Sequence, residues 1–298
     1  MLTSLEVLAN VYRDRGELAR AVEGFEQQRE LRVRAHGADS VRVANITNEL
    51  GTGLHDLGRY VDAEAAYREA LRINRLRRGD DSADTAVVMN NLASLLEDRG
   101  DLEGAEPLLR ESLRIRVAVL GPEHLSTARA HNNLGRLLML RGRLPEARAE
   151  LARALELRQR LLQPPHIELL GSHLLRARLT LREGRDDLAR ASFAEAQSQF
   201  IALGSPDPLL GLRMLQAEIE LAAALGERER QRAALDRAVA LAAETLPEGH
   251  PRWAEFVWQR AQAFSVGEGE QAAVERARQV LRMAWVAQAS LQRDASAR

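Results

Sequence analysis

The chain contains no cysteine and no lysine. The first absence excludes disulfides, thiolate metal sites and a cysteine nucleophile. The second excludes a phosphate-binding loop of the G-x-x-x-x-G-K-[ST] kind, which needs its lysine. Aromatic residues are scarce, at 4%. No apolar run approaches the roughly 18 residues that a membrane span requires. The first residues carry Glu6 inside a short apolar stretch and no basic segment ahead of it, which is not a signal peptide. A cytoplasmic protein that does not enter a membrane is the expectation.

The 298 residues hold 42 basic and 43 acidic side chains, a net charge of −1. A general nucleic-acid binder would show a basic excess or stripe, and this chain shows neither. With lysine absent, every basic residue is arginine. Arginine, alanine and glycine codons are GC-rich, so this usage points to a GC-rich bacterial genome. Ala, Leu, Arg and Glu dominate the rest, and these are the strongest helix formers.

Glycine recurs with a period of 42 residues at Gly16, Gly58, Gly100, Gly142, Gly184 and Gly226, and Gly267 and Gly269 flank the next expected position. Other columns share the period: Ala21, Ala63, Ala105, Ala147 and Ala189; Phe25, Tyr67, Leu109, Leu151, Phe193 and Leu235. Before each glycine, apolar residues fall on one helical face, as with Leu92, Leu95 and Leu96. The glycine then supplies the left-handed residue that ends a helix. A second helix follows, its small Ala105 permitting close approach while Leu109 and Leu113 fill the remaining space. Turn signals such as Gly121-Pro-Glu-His close each repeat. The expected repeat is helix A, turn, helix B, turn, and about seven such repeats fit.

Small, Leu and aromatic residues at these offsets resemble the tetratricopeptide (TPR) family. Residues 90–124 are more specific. Asn90-Asn91-Leu92-Ala93, Gly100, Ala105-Glu106-Pro107-Leu108, Leu113-Arg114-Ile115-Arg116 and Leu120-Gly121-Pro122-Glu123-His124 resemble the long-helix repeat of kinesin light chain and its bacterial relatives. Repeats two to four match well, the first partly, and the last three keep the period but lose most motif residues. The resemblance implies an all-α, right-handed α-solenoid over residues 1–288, followed by a flexible polar tail at 289–298. It further implies a concave groove lined by the A helices and holding an extended peptide or a partner protein.

Carried onto this sequence, the groove positions are Asn48, Asn90 and Asn132, with Ser94, Arg136 and Arg178 one turn later and Asn45 and Arg129 one turn earlier. A row of carboxamides can grip a peptide backbone through donors and acceptors without demanding a sequence. The arginines would add a preference for carboxylates or phosphates. The competing reading is that the asparagines hold neighbouring A helices together or cap a helix. Trp258 stands in the same column, although Trp253, Trp258 and Trp285 together suit a bulky terminal repeat that caps the stack.

His124, His166 and His250 share one repeat column, and His131 and His173 another. The period alone explains their spacing, and no carboxylate or thiol completes a ligand set, so no metal and no cofactor is expected. Nucleophile and acid–base motifs are missing as well, which argues against an enzyme. Leu8, Val11 and Val22 should be partly uncovered on the outer face of the first repeat. That face would be covered by further residues of a longer protein or would pair two chains into a homodimer. The leading expectation is a protein-interaction scaffold. The alternatives are a sensory or regulatory module of a larger kinase or transcriptional regulator, and a self-assembly element.

Overall fold

In the computed structural model, residues 2–14, 17–204, 207–246, 251–264 and 271–282 are described. They fold entirely as helices and connecting turns, of the all-α repeat-solenoid class expected from the sequence. The expected tail at 289–298, Gly16, Gly267, Gly269, His250 and Trp285 lie outside the described residues.

Two compact units are present, Met1–Gly142 and Arg143–Arg298. The N-terminal unit contains α1 (Leu2–Asp14), α2 (Leu18–His36), α3 (Val41–Asp56), α4 (Tyr60–Arg78), α5 (Ala83–Asp98), α6 (Leu102–Leu120) and α7 (Leu125–Leu140). The C-terminal unit contains α8 (Leu144–Leu161), α9 (Ile167–Arg182), α10 (Asp186–Ala202), α11 (Pro208–Ala224), α12 (Arg228–Thr245), α13 (Pro251–Ala263) and α14 (271–282). Within each unit every helix packs on the next, and A helices also meet directly, α3 with α5 and α9 with α11. Odd-numbered helices are the A helices and even-numbered ones the B helices.

The glycine column terminates the A helices as its spacing predicts. Gly100 sits at φ 82°. Its N–H donates to the Glu97 carbonyl at 2.9 Å and that of Asp101 to the Leu96 carbonyl at 2.8 Å. These two bonds form the Schellman arrangement, which satisfies carbonyls that the helix end would otherwise leave open. The same pair recurs at Gly58, Gly184 and Gly226. The following A helix begins on a side-chain cap. Ser40 accepts from the Val43 N–H and Ser82 from the Thr85 N–H. In the next two repeats histidine takes over, with His124 Nδ1 accepting from the Ser126 N–H at 3.0 Å and His166 Nδ1 from the Glu168 N–H at 3.1 Å. This column of serine and histidine is therefore a capping column.

The alanine column is sealed. Ala21, Ala63, Ala105, Ala147 and Ala189 are all fully buried. The large column beside it is buried too. Where the B helix carries Tyr67, the A helix carries Gly51, and a Cβ built there would lie 2.8 Å from the tyrosine ring. Where the B helix carries Leu109, the A helix carries Ala93. In these two repeats the larger B-helix residue is met by the smaller A-helix one.

One expectation is corrected at the first repeat. Val7 and Leu8 are exposed, at 63% and 43%, and Val11 is half-buried. Val22 is buried at 3%, because it faces α3 and would contact a Cβ at Gly53. The apolar exposure thus belongs to α1 alone.

Two stability measurements check this packing. Gly51→Ala should gain up to about 1 kcal/mol of helix propensity and lose about 1–3 kcal/mol by overpacking, for a net loss. In a Tyr67→Leu background, which copies the Ala93 and Leu109 pairing of the next repeat, the same change should become stabilising. Ala105→Leu should cost about 1–3 kcal/mol with no such rescue available, and urea titrations read all three.

Candidate functional site

The groove positions lie on α3, α5 and α7 in the N-terminal unit, and on α9 in the C-terminal unit. Their asparagines form bonds between successive A helices. Asn91 Nδ2 donates to Asn48 Oδ1 at 3.0 Å, joining α5 to α3. Asn133 Nδ2 donates to Asn90 Oδ1 at 2.7 Å, joining α7 to α5. Each bond links a residue to the one 43 positions ahead, so the doublet Asn90-Asn91 serves both α3 and α7. The sequence reading named the first asparagine of each doublet and missed the second. The period of 42 applied to a doublet was the available signal. Asn48 is buried, Asn90, Ser94 and Asn132 are half-buried, and Asn45 and Arg129 are exposed.

Two of the three arginines, Arg136 and Arg178, have carboxylate partners within the chain. Arg136 Nη1 lies 2.8 Å from Glu97 Oε2, between α7 and α5. Arg178 reaches Glu220 with both Nε and a terminal nitrogen, at 2.7 and 3.1 Å, between α9 and α11. This fork geometry is the one a guanidinium makes best. Arg13 with Glu49 and His55 with Asp98 add similar links between the first three A helices. The row of polar side chains along the A helices is therefore a seam as well as a surface.

Burial shifts several ionisable groups in this setting. Burial pushes the Glu97 carboxyl up to about 7, opposed by Arg136 and reinforced by Asp98. Its contact with Arg136 has the distance of an ion pair but lacks hydrogen-bond alignment. The desolvation penalty consequently wins over the attraction. Burial, and then Arg129, lower the Arg116 guanidinium, whose terminal nitrogen donates to the Ser126 carbonyl at 3.0 Å. Burial, and then Arg176, lower the His173 imidazole.

A cleft of about 440 Å³ opens on the A-helix side of the N-terminal unit. Asn10 of α1, Asn45, Asn48 and Glu49 of α3, and Val87 of α5 all line it. Three successive A helices thus contribute to one concavity, and asparagine comes from two of them. Trp258, in the column of Asn48, is half-buried with the Arg278 guanidinium 5.4 Å from its ring centroid. Among the described residues no cluster of three metal-ligating side chains occurs, and no helix is long and apolar enough to cross a membrane.

The tetratricopeptide repeat profile matches residues 1–76, 84–160 and 126–202. The chain belongs to the tetratricopeptide repeat family. Solved structures show the same fold across a wide span of sequence. The apo form of RapI superimposes with a TM-score of 0.69 at 17% identity, over 98% of this chain and 99% of that one. BtubC (BKLC) from P. vanneervenii gives a TM-score of 0.60 at 23% identity, over 68% and 81% of the two chains. Nearly identical TPR-like repeats of a putative kinesin light chain from P. anserina give 0.58 at 20% identity, over 69% and 97%. No curated protein sequence matches the chain. The kinesin-light-chain-like character of this TPR chain, read from residues 90–124, agrees with these likenesses.

The shifted carboxyl gives the TPR seam a pH signature. Unfolded, Glu97 releases its proton near the ordinary 4.5, whereas folded it holds the proton up to about 7. The folded state binds more protons between these values, so the contribution of Glu97 is fully present below the lower one and is lost as pH rises through the higher. Glu97→Gln removes this titration. Between pH 4.5 and pH 8 the variant should gain on the order of 1–3 kcal/mol relative to wild type in urea unfolding. A wild-type-minus-variant difference that is flat with pH would mean that Glu97 stays ionised against Arg136.

Proposed function

We propose that this TPR chain is a non-catalytic scaffold that binds an extended peptide segment of a partner protein along its A helices. The cleft of the N-terminal unit is the first point of contact. The carrying observation is that α1, α3 and α5 all line this one cleft, with Asn10, Asn45 and Asn48 among its walls. A carboxamide has both donors and an acceptor, so a seam bond such as that of Asn48 with Asn91 leaves capacity for a ligand backbone. An extended backbone presents the matching groups, since it brings its N–H and C=O unpaired. Asn45, Val87 and Arg129 occupy one repeat column and are exposed. They form the accessible edge of the proposed path, whereas Asn48, Asn90, Asn132 and Arg136 form its floor. Ser94 lies on that floor between Asn90 and the Glu97 pair.

The division between edge and floor decides which substitution is informative. Replacing Asn48 and Asn90 by alanine would strip the Asn91 and Asn133 amides of their acceptors, loosening the seam together with any ligand contact. Asn45 and Val87 report on the ligand without touching a seam bond. Peptides selected on the wild-type chain from a random display library should bind an Asn45→Ala/Val87→Ala variant at least about tenfold more weakly by calorimetry. The melting temperatures of the two proteins should agree. If every selected peptide binds both proteins equally, the cleft is not the binding surface.

A further inference from the structure

The B helices carry a second polar column, at residues 32, 74, 116 and 158. Three of its four members are arginine, and all three do the same thing. Each guanidinium crosses to the start of the following A helix and donates to the backbone carbonyl ten residues ahead. Arg32 reaches the Arg42 carbonyl at 3.2 Å, Arg116 that of Ser126 at 3.0 Å, and Arg158 that of Glu168 at 3.2 Å. Arg158 also donates to Ser172 Oγ at 2.6 Å. Helix carbonyls have a second lone pair, so such a bond does not compete with the helix.

The fourth member is Asn74. Its side chain is too short to make the crossing. It is 1% exposed, and its Oδ1 has no hydrogen-bond partner. An unpaired buried amide is costly and uncommon, and it calls for an explanation. The position that an arginine would have occupied borders the 440 Å³ cleft, which Asn74 lines together with Asp84, Ile46 and Val88. Asp84 stands ten residues after Asn74, so its carbonyl is the register equivalent of the three carbonyls that receive guanidinium groups. Glu49, Asp84 and Arg32 also line the cleft. Glu49 is 2.9 Å from Arg13 and Asp84 is 2.7 Å from Arg78, each bound through one of its two oxygens.

We infer that this gap is a guanidinium subsite, which takes the side chain of an arginine from a bound peptide in place of the arginine that the repeat lacks. The guanidinium would donate to the Asn74 carboxamide oxygen, the Asp84 carbonyl and the free side of the Asp84 carboxylate. The alkyl stem would lie along Ile46 and Val88. A planar fork with five donors suits acceptors at the end of an apolar slot, and its weak hydration favours entry over that of an ammonium group. The peptide as the source of the guanidinium rests on the groove reading proposed above; the subsite itself does not.

Calorimetric titration of the full chain with N-acetyl-arginine amide, N-acetyl-lysine amide and an alanine–arginine–alanine peptide blocked at both ends tests the inference. The arginine probes should bind at least about tenfold more tightly than the lysine probe, as a lost fork-shaped charge-assisted contact implies. The blocked peptide should bind more tightly than the arginine amide; equal affinity would make a free guanidino compound the ligand. Asn74→Arg supplies the missing side chain from within. It should abolish arginine binding and melt no lower than wild type. Asp84→Asn, on the surface, keeps the fold and should weaken binding about fivefold or more. Arginine and lysine probes bound alike, or arginine binding that survives Asn74→Arg or is unchanged in Asp84→Asn, would overturn the subsite. Library-selected peptides that bind the cleft yet lack arginine and ignore Asn74→Arg would sink this inference alone. Arginine-amide binding blocked by Asn74→Arg, with selected peptides indifferent to the cleft, would sink only the groove reading.

Discussion

Everything in this molecule depends on the close approach of an A helix and its B helix across a column of buried alanines. A helix pair of this size cannot bury its own apolar faces, and it acquires a core only when the next pair covers it. The alanine column sets the distance, and the neighbouring column of Phe25, Tyr67, Leu109, Leu151, Phe193 and Leu235 fills what remains. Once that spacing is fixed, the ends of the A helices fall in line from repeat to repeat. Polar side chains on their faces are then brought within bonding distance. The Asn48 with Asn91 and Asn90 with Asn133 bonds exist because the apolar contact has already placed α3, α5 and α7.

The fold was legible because its determinants are periodic. A glycine in a positive-φ turn, a sealed alanine and a capping residue each recur every 42 residues, and period is visible without coordinates. Pairings across the period were not. Asn91, Asn133, Glu97 and Glu220 meet residues 39 to 43 positions away, and which neighbour they choose depends on the crossing of the helices. For Arg136 and Arg178 a sequence shows the charge and not the carboxylate that faces it, Glu97 or Glu220. Asn74 was hidden for a different reason. It is informative only as a departure from Arg32, Arg116 and Arg158, and that contrast acquires meaning when the bonds of the other three are seen. Val22 was misjudged because burial at a helix edge is decided by the neighbour, here α3.

The seam and the surface share residues, which constrains how the groove can evolve. A substitution at Asn48 changes the bond to α5 and the wall of the cleft at once. One at Asn45 changes the wall alone. In the proposed scaffold, ligand preference can therefore drift most freely at the exposed column of Asn45, Val87 and Arg129 and beside Asn74. The seam asparagines are held by the stack. The raised carboxyl of Glu97 belongs to the same tension, since a seam buried well enough to order the helices is also one in which a charge is poorly solvated.

Ion pairs tie α4, α6, α8 and α10 to the turn that ends the next A helix, and their polarity differs between the two units. In the N-terminal unit the acid sits on the B helix, with Glu64 bound to Arg99 and Glu106 to Arg141. In the C-terminal unit the order is reversed, with Arg148 bound to Glu183 and Arg190 to Glu227. Near-identical modules are prone to stacking on the wrong neighbour while a chain folds. Here such a mistake between modules of the two kinds would set Arg99 against Arg148, or Glu106 against Glu183. The reversal works as an address label, written in charge, that lets interchangeable building blocks find their places in line.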